Sequence, residues 1–106
     1  MKEKYTYFDE FYPFYLKQHS NKICRLLHFI GTTIVFALFF TAIYHGNYLL
    51  WFFVPIAGYG FAWIGHFFFE KNKPATFQYP LWSLMSDFKM YFDILSGKIS
   101  FDSTKD

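Results

Sequence analysis

Hydrophobic and charged residues are sharply separated along the chain. Every Lys, Arg, Asp and Glu lies within residues 2–25 or 70–106, so Leu26–Phe69 runs for 44 residues without one. As a helix this block would extend about 66 Å, roughly two thicknesses of the hydrocarbon core of a bilayer. A water-soluble domain of 106 residues cannot enclose such a block. The pattern therefore predicts a membrane protein.

One break divides the apolar block, at His45-Gly46-Asn47. The residues on either side predict two spans, at about 23–44 and 48–69, each with the length of a tilted transmembrane helix. A connection of three residues allows only an antiparallel hairpin. Lys and Arg lie before the first span and after the second but not at the tip. By the positive-inside rule, we expect both termini to be cytoplasmic.

Two further segments predict amphipathic helices that lie at the membrane interface. The first, at about 7–18, is aromatic on one side. The second, at about 80–96, begins with Pro80 at a favourable first helical position and stops before Gly97. Because this second segment carries charged residues, we expect it to lie at the interface rather than to span the membrane.

The predicted fold class is therefore an all-α membrane protein with a single domain over residues 1–106. A two-span antiparallel helical hairpin forms its centre, with N-terminal and C-terminal interfacial amphipathic helices on either side. Residues 98–106 are expected to be a polar tail. Small residues in the second span, Gly58, Ala62 and Gly65, predict a stripe along which the first span approaches closely.

The overall composition narrows the function only a little. A net charge of +2 is too small and too spread out to indicate a nucleic-acid footprint. An aromatic content of 27% argues against disorder. The abundance of Lys, Phe and Tyr is typical of a bacterial source, so a bacterial inner membrane is favoured over the endoplasmic reticulum.

The chain has four histidines, His19, His28, His45 and His66. Their depths in the predicted hairpin indicate which of them can share one site. His28 lies 18 residues before Gly46 and His66 lies 20 residues after it. In an antiparallel hairpin these two come to nearly the same level, about 3 Å apart along the axis. His45 lies at the opposite tip and is excluded from any site that they share.

The position of His19 depends on the chain between the first helix and the first span. In one continuous helix His19 would lie about 13 Å from His28 along the axis. If Lys17–Asn21 turns back across the mouth of the hairpin, with Ser20 or Asn21 as the cap of the span, His19 approaches the other two histidines.

Ionisable groups within membrane spans are costly and usually mark function. Three imidazoles with a nearby carboxylate suit Fe, Zn or Cu, and Glu70, four residues after His66, supplies the carboxylate. A lone intramembrane histidine is more often a hydrogen-bonding group between helices. For three histidines beside an acid we favour a metal site, with Glu70 orienting an imidazole.

Two further candidate catalytic residues are Arg25 and Asp87. Arg25 shares a helix face with His28 and predicts either a snorkelling anchor or a bidentate partner for a substrate carboxylate. Asp87 forms one face of the third helix with Ser83 and Met90. That face is either a solvated stripe or a buried polar contact, and the presence of Met90 favours the second.

Two segments resemble a known family of small membrane proteins, formerly a domain of unknown function. They are His19–Gly31, HSNKICRLLHFIG, and Gly58–Phe77, which contains the pattern G-H-x3-E-K-x2-P-A. The family includes a fungal Fe(II)-dependent dioxygenase of 2-hydroxy fatty acids in phytosphingosine breakdown, an endoplasmic-reticulum enzyme. The chain resembles its short, largely bacterial form.

The resemblance implies α-oxidation, in which O2 and a 2-hydroxy acyl lipid give CO2 and an acid one carbon shorter. It implies Fe(2+) as the cofactor, with His19, His28 and His66 as its ligands or close neighbours and Glu70 at the family's acidic position. Two alternatives stay open, namely a haem protein with His28 and His66 as axial ligands and a structural hairpin without catalysis. The sequence also leaves open a homodimer formed through an aromatic face.

Overall fold

The computed structural model describes residues 5–74 and 77–105. The described residues form no strand, and the all-helical prediction is confirmed. Four helices follow one another along the chain: α1 (Phe8–Gln18), α2 (Lys22–His45), α3 (Tyr48–Ile64) and α4 (Pro80–Leu95). A π-helical turn, Gly65–Glu70, continues α3 without a break. The ends of the predicted domain, residues 1–4 and 106, and Ala75 of the family pattern lie outside the described residues.

Helices α2 and α3 form the predicted antiparallel hairpin. Gly46 turns the chain in the left-handed region, at φ +63°, and Asn47 caps α3 by accepting a hydrogen bond from the Leu49 amide. Lys22–His45 and Tyr48–Glu70 are both long and apolar enough to cross a membrane. In the most apolar 18-residue stretch of each helix, only 17% and 11% of the residues are buried. The core helix of a soluble protein, by contrast, is mostly buried. These two helices are candidate membrane spans.

Small residues let the two candidate spans approach each other closely, as the sequence predicts. A Cβ added at Gly65 would lie 2.9 Å from the Sγ atom of Cys24. A Cβ at Gly58 would lie 3.3 Å from Val35, and one at Gly31 would lie 2.9 Å from the Cβ of Phe61. A Cβ at Gly60, on another side of α3, would have no neighbour within 4 Å among the residues that the structure describes.

Polar and charged residues make up much of the buried interior of the described residues, and many large apolar side chains face outward. Helix α4 shows this clearly, because its buried residues include Ser83, Ser86 and Met90, whereas Leu81 and Leu95 are 66% and 61% exposed. The solvated-stripe interpretation of the face that carries Ser83, Asp87 and Met90 is therefore wrong. The alternative, a buried polar contact on this face, is confirmed. A helix whose apolar side faces outward suits a lipid environment better than water.

Helices α1 and α4 pack on each other through a small aromatic core. Phe11, Tyr15 and Met90 are its buried members. Helix α4 also packs along α2, where the Tyr91 ring stacks on Phe29 at a centroid distance of 4.5 Å. The interfacial position expected for α1 and α4 stays a prediction.

The C-terminal segment packs against the helices and is not a free tail. The Phe101 ring lies 5.3 Å from that of Phe29. The Ser103 hydroxyl donates to the Ser20 carbonyl at 2.8 Å. The described part of residues 98–106 therefore covers the connection between α1 and α2, because backbone carbonyls there accept hydrogen bonds that the sequence pattern does not reveal.

Candidate metal centre

Three elements bring three histidines to one point. His19 follows the last residue of α1, His28 lies in the second turn of α2, and His66 lies in the π-helical turn. The chain turns back between α1 and α2, where Asn21 caps α2 by accepting from the amides of Ile23 and Cys24. The condition on which the approach of His19 depends is therefore met.

The three rings form a compact, buried cluster. Their ring centroids are separated by 4.3 Å for His19 and His28, 4.4 Å for His19 and His66, and 5.0 Å for His28 and His66. Each side chain is at most 6% exposed. One candidate ligand nitrogen from each histidine lies within 4.8 Å of the others. His45 is exposed at the far tip of the hairpin, as predicted.

Each histidine uses its Nδ1 atom to bond to an acceptor outside the cluster. His19 donates to the Tyr15 carbonyl at 2.7 Å, and His28 donates to the Cys24 carbonyl at 2.9 Å. The Nδ1 atom of His66 lies 2.8 Å from the Oδ1 atom of Asn72. Because these oxygens only accept, all three Nδ1 atoms carry the proton and the Nε2 atoms of neutral rings are left with free lone pairs.

The Nε2 atoms of His19 and His28 lie only 3.0 Å apart. Burial and the neighbouring rings of His28 and His66 lower the pKa of His19 well below its usual value, so this ring is neutral at pH 7. Two lone pairs at this distance repel each other unless a cation lies beside them. The donor set therefore fits a metal ion bound by nitrogen, with each ligand oriented by an outer hydrogen bond.

Asn72 is a site residue that the sequence analysis missed. Lys71 adopts a left-handed conformation, at φ +61°, and the Asn72 amide then donates to the His66 carbonyl at 3.0 Å. Its side-chain nitrogen donates to the Gln18 carbonyl at 3.1 Å, which fixes Oδ1 toward His66. The only signal in the sequence is its place between Glu70 and Pro74 in the family pattern, because the π-helical turn is not evident from the residue types.

Glu70 holds the chain reversal and does not orient an imidazole. Its carboxylate accepts hydrogen bonds from the Asn21 amide and from the Ser20 hydroxyl at 3.3 Å. The orienting role expected of Glu70 belongs to Asn72. Glu70 lies at the N-terminus of α2, where a carboxylate is favourable toward the helix dipole, and there it stabilises the turn that carries His19.

Arg25 is fully buried, so the snorkelling interpretation is wrong. Its Nε atom donates to the His19 carbonyl at 2.6 Å, and its Nη1 atom donates to the Ser100 carbonyl at 2.7 Å. The guanidinium therefore links the C-terminal segment to the backbone of a candidate ligand. Its expected role as partner of a substrate carboxylate stays a prediction.

A hydrogen-bonded pair, the buried Tyr15 and the half-buried Asp87, lies beside the histidines. The Tyr15 ring stacks on His19 at a centroid distance of 3.9 Å, and its hydroxyl donates to the Asp87 carboxylate. Burial raises the pKa of Asp87 to about 7, against the opposing effect of the Tyr15 hydrogen bond. Asp87 thus gains a proton near neutral pH in a place where α4 meets the histidine cluster.

Two cavities adjoin this cluster. A small one of about 10 Å³, lined in part by the three histidines, has room for an ion or a single water molecule but not for a macrocycle. A second cavity of about 320 Å³ lies between α2, α3 and α4. The two share His28, Tyr59 and Asp87 as lining residues, so the larger cavity begins where the smaller one ends.

The sequence of this histidine-rich hairpin matches the model of one protein family. A family model described as "2-hydroxy-palmitic acid dioxygenase Mpo1-like" matches residues 5–99. The chain belongs to the Mpo1-like family. The search of curated proteins and the search of solved structures gave no match. The three histidines and Asn72 all lie within the part of the chain that matches the Mpo1-like model.

Proposed function

We propose that the protein is an Fe(II)-dependent dioxygenase that shortens 2-hydroxy fatty acids by one carbon. The 2-hydroxy acid and O2 give the shorter carboxylic acid, CO2 and water. The bond between C1 and C2 breaks, C1 leaves as CO2, and C2 becomes the new carboxyl carbon. The four electrons lost by the substrate reduce one O2, so no external reductant is needed.

The observation that carries the proposal is the arrangement of the three imidazoles. His19, His28 and His66 direct neutral nitrogens at one another while their other nitrogens are bonded outward. Iron bound by these nitrogens would supply the redox chemistry with O2 that the reaction requires. The description of the family supports the same reaction class.

The other polar residues have distinct roles in this proposal. Asp87 lies between the histidines and the larger cavity, where it contacts the hydroxyl and carboxyl groups of the substrate. Tyr15 holds Asp87 by its hydroxyl and His19 by its ring. Glu70 and Arg25 fix the backbone on either side of the His19 turn. We assign these last two to positioning of a ligand rather than to contact with the reacting atoms.

The geometry speaks against both alternatives. A haem would need space for a macrocycle between its axial ligands His28 and His66, whereas the cavity that both of these rings line has a volume of only about 10 Å³. A purely structural cluster would need a hydrogen bond between the Nε2 atoms of His19 and His28. Neither neutral ring has a proton there, because each Nδ1 atom donates to a carbonyl.

We further propose that the protein lies in a bacterial inner membrane with both termini in the cytoplasm. Lys and Arg flank the hairpin at its open end and are missing from its tip in the sequence, which supports this orientation. The histidine cluster then lies near the cytoplasmic surface, where the polar head of a 2-hydroxy acid is expected.

Purification in detergent followed by metal analysis and an absorption spectrum tests the proposal. We expect iron without a Soret band, and we expect the iron-loaded protein to convert 2-hydroxypalmitate and O2 to the acid one carbon shorter. A Soret band would favour the haem alternative. Protein that contains verified iron but oxidises no 2-hydroxy acid of any chain length would disprove the proposed function.

A matched pair of histidine variants supplies the control. His66→Ala should remove the metal, because it deletes one of three nitrogen ligands. His45→Ala should retain the metal, since this histidine is exposed at the far tip. Equal metal contents in the two variants would show that the metal is held elsewhere.

A further inference from the structure

The larger cavity is a slot that leads away from the histidine cluster. Its polar lining residues include His28 and Asp87, and its other walls are mostly apolar. Its volume of about 320 Å³ is at the lower end of the range for small-molecule sites. Because it opens onto the proposed reaction centre, a molecule that reacts there can extend into it.

The lining residues give the slot a direction and a length. On α2 they include His28, Val35 and Phe39, a row that extends about 16 Å at the rise of an α-helix. On α3, which runs the other way, Tyr59 lies nearest the histidines and Val54 lies deepest. A length of about 16 Å is close to half of the hydrocarbon core, which is the depth of one lipid leaflet.

We propose that this slot holds the acyl tail of the substrate and that Phe39 closes its deep end, so that Phe39 sets the tail length that fits best. The inference rests on the proposed function, since the head of the 2-hydroxy acid must be at the histidines. Trp51 holds the Phe39 ring in place, with their ring centroids 5.4 Å apart at an angle of 83°.

The orientation of the slot matches that of a lipid in the membrane. The histidines lie at the open end of the hairpin, and the slot runs from them toward the tip, parallel to the two spans. A 2-hydroxy acid in the adjoining leaflet has its head at the surface and its tail along the same direction. It therefore binds without leaving the bilayer, and its tail keeps an apolar environment throughout.

The physical basis of length selection is the fit of methylene groups. One extra or missing methylene in an apolar pocket changes kcat/KM by roughly tenfold or more. A tail that is too long for the slot meets the Phe39 ring, and a tail that is too short leaves apolar wall uncovered. The preference should therefore have a maximum at one chain length.

The first test enlarges the deep end. Phe39→Ala should move the preferred chain length upward. In this variant, kcat/KM for the longer acids should rise about tenfold relative to kcat/KM for the acid that the wild-type protein prefers. Phe40→Ala is the matched control, because Phe40 is the next residue on the same helix, is 61% exposed and does not line the slot. An unchanged length profile in Phe39→Ala, with metal content intact, would overturn the inference.

The second test shortens the slot. Val35 lies midway along it, opposite Gly58, so Val35→Phe should move the preferred length downward. Ile34→Phe is its control, because Ile34 lies on another side of α2, in a separate groove. The same shift in both variants would mean that the slot is not the tail site.

A labelling experiment on wild-type protein separates this inference from the proposed function. A fatty acid with a diazirine at its terminal carbon, bound to metal-free protein in a lipid nanodisc, should label residues near Phe39 and Val54. Labelling there without any oxidation of 2-hydroxy acids would disprove the function but keep the tail site. Oxidation with labelling confined to the outer surface, such as Tyr44 or Phe52, would keep the function and disprove the tail site.

Discussion

The Nε2 atoms of His19 and His28 lie 3.0 Å apart although His19 directly follows α1 and His28 lies in α2. A continuous helix would separate them by about 13 Å along its axis. The chain reversal between α1 and α2 removes that distance. Glu70 and Arg25 bond to the backbone of this reversal, and the Asn21 side chain caps α2 directly after it. The candidate metal centre therefore depends on residues that do not themselves bind the metal.

Asn72 should be required for metal affinity. Asn72→Ala removes the acceptor for the Nδ1 proton of His66, and outer partners of metal-binding histidines are typically worth about 10–100-fold in affinity. Competition with a chromogenic chelator measures the loss. Asn47→Ala, which removes a helix cap at the far end of the hairpin, should lower stability without changing metal affinity. Equal affinities in the two variants would rule out the orienting role of Asn72.

Gly65 should be required for the close packing that places His66. A Cβ at this position would lie 3.2 Å from the Cα of Cys24 as well as against its sulfur. Because a backbone atom cannot move aside cheaply, we expect Gly65→Ala to lower the free energy of unfolding by about 1–3 kcal/mol and to weaken metal binding. Gly60→Ala has open space around its Cβ and should be neutral or stabilising by up to about 1 kcal/mol. Thermal unfolding in detergent measures both, and equal stabilities would contradict the packing argument.

Arg25→Gln should destabilise the turn that carries His19. The substitution leaves the carbonyls of His19 and Ser100 without their guanidinium donors, at a cost of about 1–3 kcal/mol for each buried group left unpaired. Lys22→Gln, at the exposed start of the same helix, should have little effect. Thermal unfolding and metal content provide the comparison.

Kinetics with the same Arg25 variant separate the two roles considered for this residue. If Arg25 positions His19, metal content and kcat fall together. If it binds the substrate carboxylate, KM rises while metal content stays at the wild-type level, and the positioning role is then excluded.

Asp87 should make the stability of the metal-free protein depend on pH. Its pKa in the folded protein is about 7, raised from an ordinary 3.8, because burial favours the neutral acid. The folded state therefore binds the proton more tightly, and the free energy of unfolding should decrease as pH rises from about 4 to about 7 and then level off. Asp87→Asn should reduce that decrease, whereas Asp9→Asn, at an exposed position, should not. Melting temperatures measured across this pH range decide the point, and identical pH profiles for wild type and Asp87→Asn would refute it.

Much of the hairpin follows from the sequence because the pattern is local and strong. The apolar block between two charged ends and the single break at Gly46 indicate two helices of fixed length. The equal depth of His28 and His66 then follows from the rise of an α-helix. Pro80 and Gly97 mark the ends of α4 for reasons of backbone geometry alone.

The sequence by itself thus determined the two helices of the hairpin, the pairing of His28 with His66 and the exclusion of His45. Only the tertiary structure decided that His19 joins them, that Asn72 rather than Glu70 orients His66, and that Arg25 is buried. The physical reason is the same in each case. Chain reversals, left-handed residues and π-helical turns are held by hydrogen bonds to backbone groups, and such bonds leave almost no pattern in the side-chain sequence.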